Sequence, residues 1–301
     1  MKRRDFVAAL GSCVVGSAVA SGHHQSTYGQ AVLQKKSVPF YLYDSFTNAP
    51  FSGNPASVVV LQHWPNDSFL QAFATEMNHS EVAYILKDSN GWNIRWFTPV
   101  KEVTLNGHAT LAAAALIFES IEPQAVELSF QTRSSGPLSV KRNGDTFLMD
   151  FPQDSEPVQV DIPQEIEQDL GVKPLEFWVN NRNILIFKNA QEVATIQSKL
   201  TKDTAWAKGK NVVAAAPGDD GIDYVLRYFA PILNIPEDPV TGVIHCTLAP
   251  FFGKRLAKNM FKVRQLSARG GDVVSGVQQN GRILIGGPCA RYSEGRLFLE
   301  G

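Results

Sequence analysis

The sequence predicts an α+β protein made of two related, strand-rich halves, each holding one apolar helix. A repeated phrase is the first reason. "TLNGHATLA" at 104–112 and "VIHCTLA" at 243–249 share His, Thr, Leu and Ala in one order. Each follows an aromatic strand ending in proline, "RWFTP" from Arg95 to Pro99 and "RYFAP" from Arg227 to Pro231. That separation is far too long for a solenoid and suits two pseudo-symmetric half-proteins. The second reason is "HATLAAAALIFE" from His108 to Glu119, alanine-rich and almost wholly apolar, hence a helix buried on most sides. The third is the run of β-branched and aromatic segments on both sides of that helix.

Element by element, "VPFYLYDSF" from Val38 to Phe46 reads as a strand entering a turn, with a second strand from Ala56 to Leu61. Residues 66–78 place Phe69, Leu70, Phe73 and Met77 on one helical stripe, with Asn66 or Asp67 as cap. "SEVAYILKD" and "WNIRWFTP" are two strands separated by "SNG". After the central helix, strand character resumes, with turns at Ser134–Pro137 and Asn143–Gly144. Ile162 to Gly171 reads as a helix with a glycine stop, "FWVNNRNILIFKN" as strand, "AQEVATIQSKL" as an amphipathic helix and "DYVLRYFAP" as strand. "HCTLAPFFGKRL" is the second central helix, which Pro250 is expected to kink or end early, and three β segments close the chain.

The expected organisation is an export signal at 1–20, a linker at 21–36, an N-terminal half at 37–134 and a C-terminal half at 135–301. The last strands are free to complete the first half. The leader "MKRRDFVAALGSCVVGSAVASG" has a basic start, an apolar stretch and an Ala18-Val19-Ala20 cleavage pattern. Its Arg3-Arg4 pair resembles a twin-arginine signal. A periplasmic or secreted location is expected, or a cytoplasmic one if the leader is not used; no stable membrane insertion is expected after its removal. With 44% hydrophobic residues, 19% charged and a net charge of −1, the chain has no basic field for nucleic acid. A small molecule is the expected partner. Of three cysteines, Cys246 and Cys289 lie outside the leader, either able to pair or simply buried as small apolar residues. No Cys-x-x-Cys or His-Glu-x-x-His spacing points to a metal.

Polar residues gather at three places where pattern favours apolar ones: Ser80-Glu81, Asn106-Gly107-His108 and Glu237 to Gly242. A glycine before an apolar helix lets backbone N–H groups approach a ligand, and the helix N-terminus favours an anion such as a carboxylate. Glu81 is either a proton carrier with a raised pKa or an exposed strand-edge glutamate. His108 moves a proton, or caps its helix. Asp238 before Pro239 serves the site, forms a turn or lies in the N-cap region of the second helix.

Five ordered blocks, "DSFTNAPFSGNPASVVVL", "NHSEVAYIL", "RWFTPVKEVTLNGHATLAAAALIF", "RYFAPILNIPEDPVTGVIHCTLAPFF" and "QLSARGGDVVSGV", resemble the phenazine-biosynthesis isomerase (PhzF-like) family, whose fold is that of diaminopimelate epimerase and proline racemase. The resemblance runs from about Val38 to the end. It implies two halves, each a β barrel-like sheet around a central helix, with a site between them and no cofactor. It implies Glu81 as general acid/base, with His108 and Asp238 assisting, and substrate held by Gly107, Gly242 and Asn106. The implied activity is a cofactor-independent isomerase that moves a proton on a small carboxylate-bearing substrate, from a homodimer. An exported binding protein that keeps the cleft without turnover is the rival reading. Where related epimerases place paired thiols, this chain has Asn106 and Thr241. Where the family continues Ser-Ala-His, it has Val243-Ile244-His245, which removes a hydroxyl and reshapes the pocket.

Overall fold

Residues 36–233 and 235–299 are described by the computed structural model. The export signal and residues 21–35 of the linker lie outside them. Strand β1 (Ser37–Ser45), β2 (Asn54–Leu61), helix α1 (Asp67–Met77), β3 (Glu81–Asp88), β4 (Gly91–Phe97) and the two-residue β5 (Glu102–Val103) lead into α2 (His108–Leu116). Then come β6 (Glu127–Gln131), β7 (Leu138–Asn143), β8 (Thr146–Phe151), β9 (Val158–Val160), α3 (Glu165–Leu170), β10 (Glu176–Val179), β11 (Asn183–Ile186) and α4 (Ala190–Thr195). The rest is β12 (Val212–Pro217), β13 (Tyr224–Ala230), β14 (Ile235–Asp238), α5 (His245–Leu256), β15 (Met260–Gln265), β16 (Gly271–Val277), β17 (Ile283–Gly287) and β18 (Cys289–Phe298). The fold is a mixed one, with much sheet and few helices.

Pairing runs β18–β1–β2–β3–β4–β6–β7–β8 and passes from β8 to β17. It continues β16–β15–β13–β12–β11–β10–β9. The parallel pairs are β2–β3, β4–β6, β11–β12 and β13–β15. Parallel neighbours need a crossover. Helices α1, α2, α4 and α5 supply one each. Ser134–Pro137 is the loop of the β6–β7 hairpin, where Phe130 pairs with Leu138.

All nine residues of α2 are buried, because its alanines let strands approach on every side. It shares one apolar core with α5, in which Trp96, Phe118 and Phe130 join Tyr224, Phe252 and Phe261. The repeated strand phrase has a local cause. Arg95 donates Nε and Nη2 to Glu102 of β5 at 2.7 and 2.8 Å, and Arg227 does the same to Glu237 of β14 at 2.7 and 2.8 Å. Each guanidinium lies 5.1 Å from the ring centroid of the Phe two residues on, Phe97 or Phe229.

The structure corrects five readings of local pattern. Pro250 does not end α5 early, since the helix continues to Leu256. Its missing N–H leaves the Cys246 carbonyl free, and that oxygen accepts the Asp154 N–H at 3.2 Å instead. "FWVNNRNILIFKN" is two strands, β10 and β11, because Asn180 N–H turns back onto the Arg182 carbonyl at 3.0 Å. "AQEVATIQSKL" is helical only to Thr195; beyond it Gln197 and Lys199 donate to Leu170 and Asp169 at the end of α3. The tail holds four strands, with Pro288 dividing β17 from β18 and its carbonyl accepting from Phe46 and Thr47. The α-helical part of α2 also stops at Leu116, and Ile117–Ile121 form a π turn closed by Glu122 N–H on the Ile117 carbonyl.

Candidate active site

Glu81 is the first residue of β3, held beside Ala56 by the parallel β2–β3 register. Its Oε2 stands 3.1 Å from Nε2 of His108, the first residue of α2. Both side chains are largely enclosed, at 15% and 8% exposure. The approach is an ion-pair contact, since Nε2 has no aligned hydrogen-bond acceptor. Burial disfavours the imidazolium, yet the Glu81 carboxylate and then Asp238 outweigh it, so His108 titrates above its ordinary value.

Asp238 ends β14. Burial pushes its carboxyl up to about 6, against the opposing pull of His108 and the Thr241 hydroxyl. Asn54 Nδ2 donates to its Oδ1 at 2.9 Å and to the Val240 carbonyl at 2.8 Å, while the Thr241 hydroxyl donates to Oδ2. Ser80, next to Glu81, donates to Asn54 Oδ1 at 3.0 Å. A polar chain therefore runs Ser80–Asn54–Asp238–Thr241 and links residues 184 positions apart. Glu81, His108 and Asp238 form one electrostatic cluster from three separate elements.

The two helix starts lie on either side of neighbouring residues. Ser45 Oγ donates to the His108 carbonyl at 2.7 Å, and a methyl placed on Gly242 would stand 3.2 Å from Phe46 Cζ. At Gly107 the same methyl would meet only Met149, at 3.8 Å, so the backbone there is open to a ligand. Among the described residues, the N–H groups of Gly107, His108, Gly242 and Val243 have no hydrogen-bond partner. The Asn106 side chain is engaged: its Oδ1 accepts Ala109 N–H at 2.9 Å and caps α2. Of the two residues that depart from Ser-Ala, Val243 is 37% exposed and Ile244 is sealed in the core. Only Val243 can alter what a ligand meets.

Sequence reasoning missed Asn54 and Gln265. Gln265 is fully buried, its amide donating to the Asp238 carbonyl at 2.7 Å and accepting Thr241 N–H at 2.9 Å. A polar residue closing an otherwise alternating strand, "MFKVRQ", was its one signal. Cys246 and Cys289 are both free thiols whose pKa burial pushes up to about 12, so neither is a ready base. No group of three or more His, Cys, Asp and Glu among the described residues is arranged to hold a metal. A separate surface groove beside Trp178, Phe251 and Arg255 contains none of the clustered residues. Of its two acids, Asp154 is engaged by Arg182 and Thr247, each at 2.9 Å, and Glu156 by Lys254.

The chain is 38% identical over 261 residues to an uncharacterized isomerase of Pseudomonas aeruginosa, covering 87% of this chain and 98% of that one. It is 33% identical to a rat phenazine biosynthesis-like domain-containing protein, over 86% of this chain and 99% of the relative. A crystal structure of a phenazine biosynthesis protein of the PhzF family from Enterococcus faecalis superposes with a TM-score of 0.83 at 36% identity, covering 88% of this chain and all of the other. A hydroxyproline epimerase from Agrobacterium vitis, 12% identical with a TM-score of 0.55 over 89% of this chain and 94% of its own, shares the fold alone. The phenazine biosynthesis-like family model matches residues 43–295, and the chain belongs to that family.

Proposed function

We propose that the protein is a cofactor-independent isomerase that moves a proton on a small carboxylate-bearing substrate held between two pseudo-symmetric halves. The observation that carries this reading is the 3.1 Å approach of Glu81 and His108 beside the near-neutral carboxyl of Asp238. Glu81 takes the proton from a carbon of the substrate as the electron pair moves toward its carboxylate, then returns it to a different carbon or face. A carbon acid of this kind is weak, so negative charge must be met by fixed donors. The unpaired N–H groups at the starts of α2 and α5 are such donors. His108 and the protonated form of Asp238 supply further hydrogen bonds or relay the proton.

The two-half reading is supported by the matching order of parallel pairs, β2–β3 and β4–β6 against β11–β12 and β13–β15. In this proposal the chain passes from one half to the other between β8 and β9 rather than at 134–137. Deuterium incorporation from heavy water into a panel of amino and enol-capable carboxylates tests the chemistry. The wild type should exchange, and Glu81→Gln should lose about 10²–10⁴-fold. Equal exchange in both proteins would end the assignment of Glu81, and tight binding with no exchange would favour a binding protein. Homodimerisation, and export through residues 1–20, complete the proposal; light scattering and cell fractionation check them.

A further inference from the structure

The block "QLSARGGD" takes no part in proton transfer as described above, yet its residues fasten two segments that the site depends on. One arm grips the turn after β14. Gln265 holds the Asp238 carbonyl and the Thr241 N–H, and Ser267 Oγ donates to the Pro239 carbonyl at 2.6 Å. The other arm grips the loop between β1 and β2. Arg269 donates to the Gly53 carbonyl at 2.8 Å, the Ser52 carbonyl at 3.0 Å and Asp44 Oδ1 at 2.6 Å. Gly53 N–H returns to the Gly270 carbonyl and Asp272 N–H to the Phe46 carbonyl, both at 2.8 Å.

That loop needs holding. Phe46 and Phe51 have φ of 67° and 70°, a left-handed backbone costly for phenylalanine. Asp44, 1% exposed, accepts Phe51 N–H at 2.6 Å through the oxygen that Arg269 leaves free. Gly271 lies where the arms meet: a methyl there would stand 2.5 Å from Val240 Cγ2 and 3.1 Å from the Phe46 carbonyl. Directly after Gly53 comes Asn54, whose amide bridges Asp238 and Val240.

We infer that residues 265–272 form a brace that sets Asp238 and Asn54 in place against Glu81 and His108, with Arg269 as its principal positioning residue. The inference rests on the proton-transfer reading for its purpose but not for its test. Arg269 touches no reacting atom. It acts through Gly53 and Asn54, and its planar fork reaches acceptors that an ammonium cannot satisfy together.

The test is the titration of histidine side chains by NMR in protein carrying ¹³C-labelled histidine, with His108 assigned through His108→Gln. In Arg269→Ala the His108 midpoint should fall by a few tenths of a pH unit, because the Asp238 carboxylate that helps hold it up moves away. Loss of a positive charge alone moves a histidine the other way. His79, which burial holds below its ordinary value and which stands near Asp44 and Arg269, should rise and report that direct effect. Low, non-denaturing guanidinium should restore both midpoints, and Arg269→Lys should fall between. An unchanged or raised His108 midpoint in Arg269→Ala overturns the brace. If that variant does not fold, Arg269→Lys and Ser267→Ala carry the same requirement with a smaller fall.

Proton exchange separates the two ideas. A brace that positions the site should cost about 10- to 100-fold in exchange when Arg269 is removed, in line with a small misplacement of reacting groups. A displaced His108 in a protein that exchanges no proton with any panel member keeps the brace and removes the isomerase reading. Full exchange in Arg269→Ala with His108 unmoved does the reverse.

Discussion

At the start of α2, His108 meets the Glu81 carboxylate, with Asp238 close enough to influence its charge. At the start of α5, its counterpart in the repeated phrase, His245, is sealed at 0% exposure, with Nδ1 2.7 Å from the Tyr224 hydroxyl. Tyr224 in turn shares a hydrogen bond with Ser275 at 2.9 Å and stacks on Phe252. No carboxylate acts on His245, so burial alone depresses it, to about 3. One phrase thus yields an ionisable group beside two acids and a neutral group in the core. The neighbours decide between these fates, since the local sequence of the two helix starts is alike.

The largest separation between the two histidines should appear in proton exchange. Glu81→Gln, which removes the partner of His108, costs the factor of about 10²–10⁴ given above. His245→Gln should leave exchange within a few-fold in whatever fraction is folded. A comparable loss in both variants would break the comparison.

Stability against pH should differ in sign between the two regions. His245 has a folded value below its unfolded one, so the unfolded chain binds more protons between about pH 6.5 and 3. Its contribution is fully present above that window and is lost as pH falls through it, by roughly 5 kcal/mol. Asp238 is raised, so the native state binds more protons between the ordinary carboxylate value and about 6. Its stability is present at the acid end of that window and is lost as pH rises, by about 3 kcal/mol. Urea unfolding across pH 4–7 checks both. His245→Gln should flatten the acid loss, and Asp238→Asn should raise stability at pH 7. Matching slopes in the two variants would show that His245 and Asp238 do not titrate in opposite senses on folding.

Tyr224→Phe should cost about 1–2 kcal/mol by leaving His245 and Ser275 without their shared hydroxyl. Exchange per folded molecule should not change. The smallest effect concerns what the two regions have in common. Arg95→Lys and Arg227→Lys should each cost about 1 kcal/mol, because an ammonium cannot reproduce the two-pronged contact with Glu102 or Glu237. Values that agree within about 0.5 kcal/mol would show the same scaffold role on both sides, and a wide gap would tie one of them to the site.

Much of this was legible from local pattern. The strands around the repeated phrase and the helices after it follow from alternation and from the alanine run. The positions of Glu81, His108 and Asp238 as polar intrusions at element ends were visible too. Their meeting in one cluster was not deducible from periodicity, and came only from the resemblance to a family. Asn54 was unreadable because its partner lies 184 residues away and "GNPAS" looks like an ordinary turn. The survival of α5 through Pro250 was hidden for the same reason: the carbonyl that proline abandons is satisfied by Asp154, far off in sequence.

The pairing of β1 with β18 sets Ser37 against Phe298, almost the full span of the described chain. During synthesis β1 therefore waits, with one edge open, until Cys289–Phe298 has been made. An unpaired edge of that length invites wrong neighbours, and contacts this distant in sequence are slow to close. β1 also carries Ser45 and leads into the loop before Asn54, so the site's surroundings cannot settle before the C-terminal strand arrives. Loss of residues from β18 should therefore be read as a fault in the partnership of β1, at the other end of the described chain.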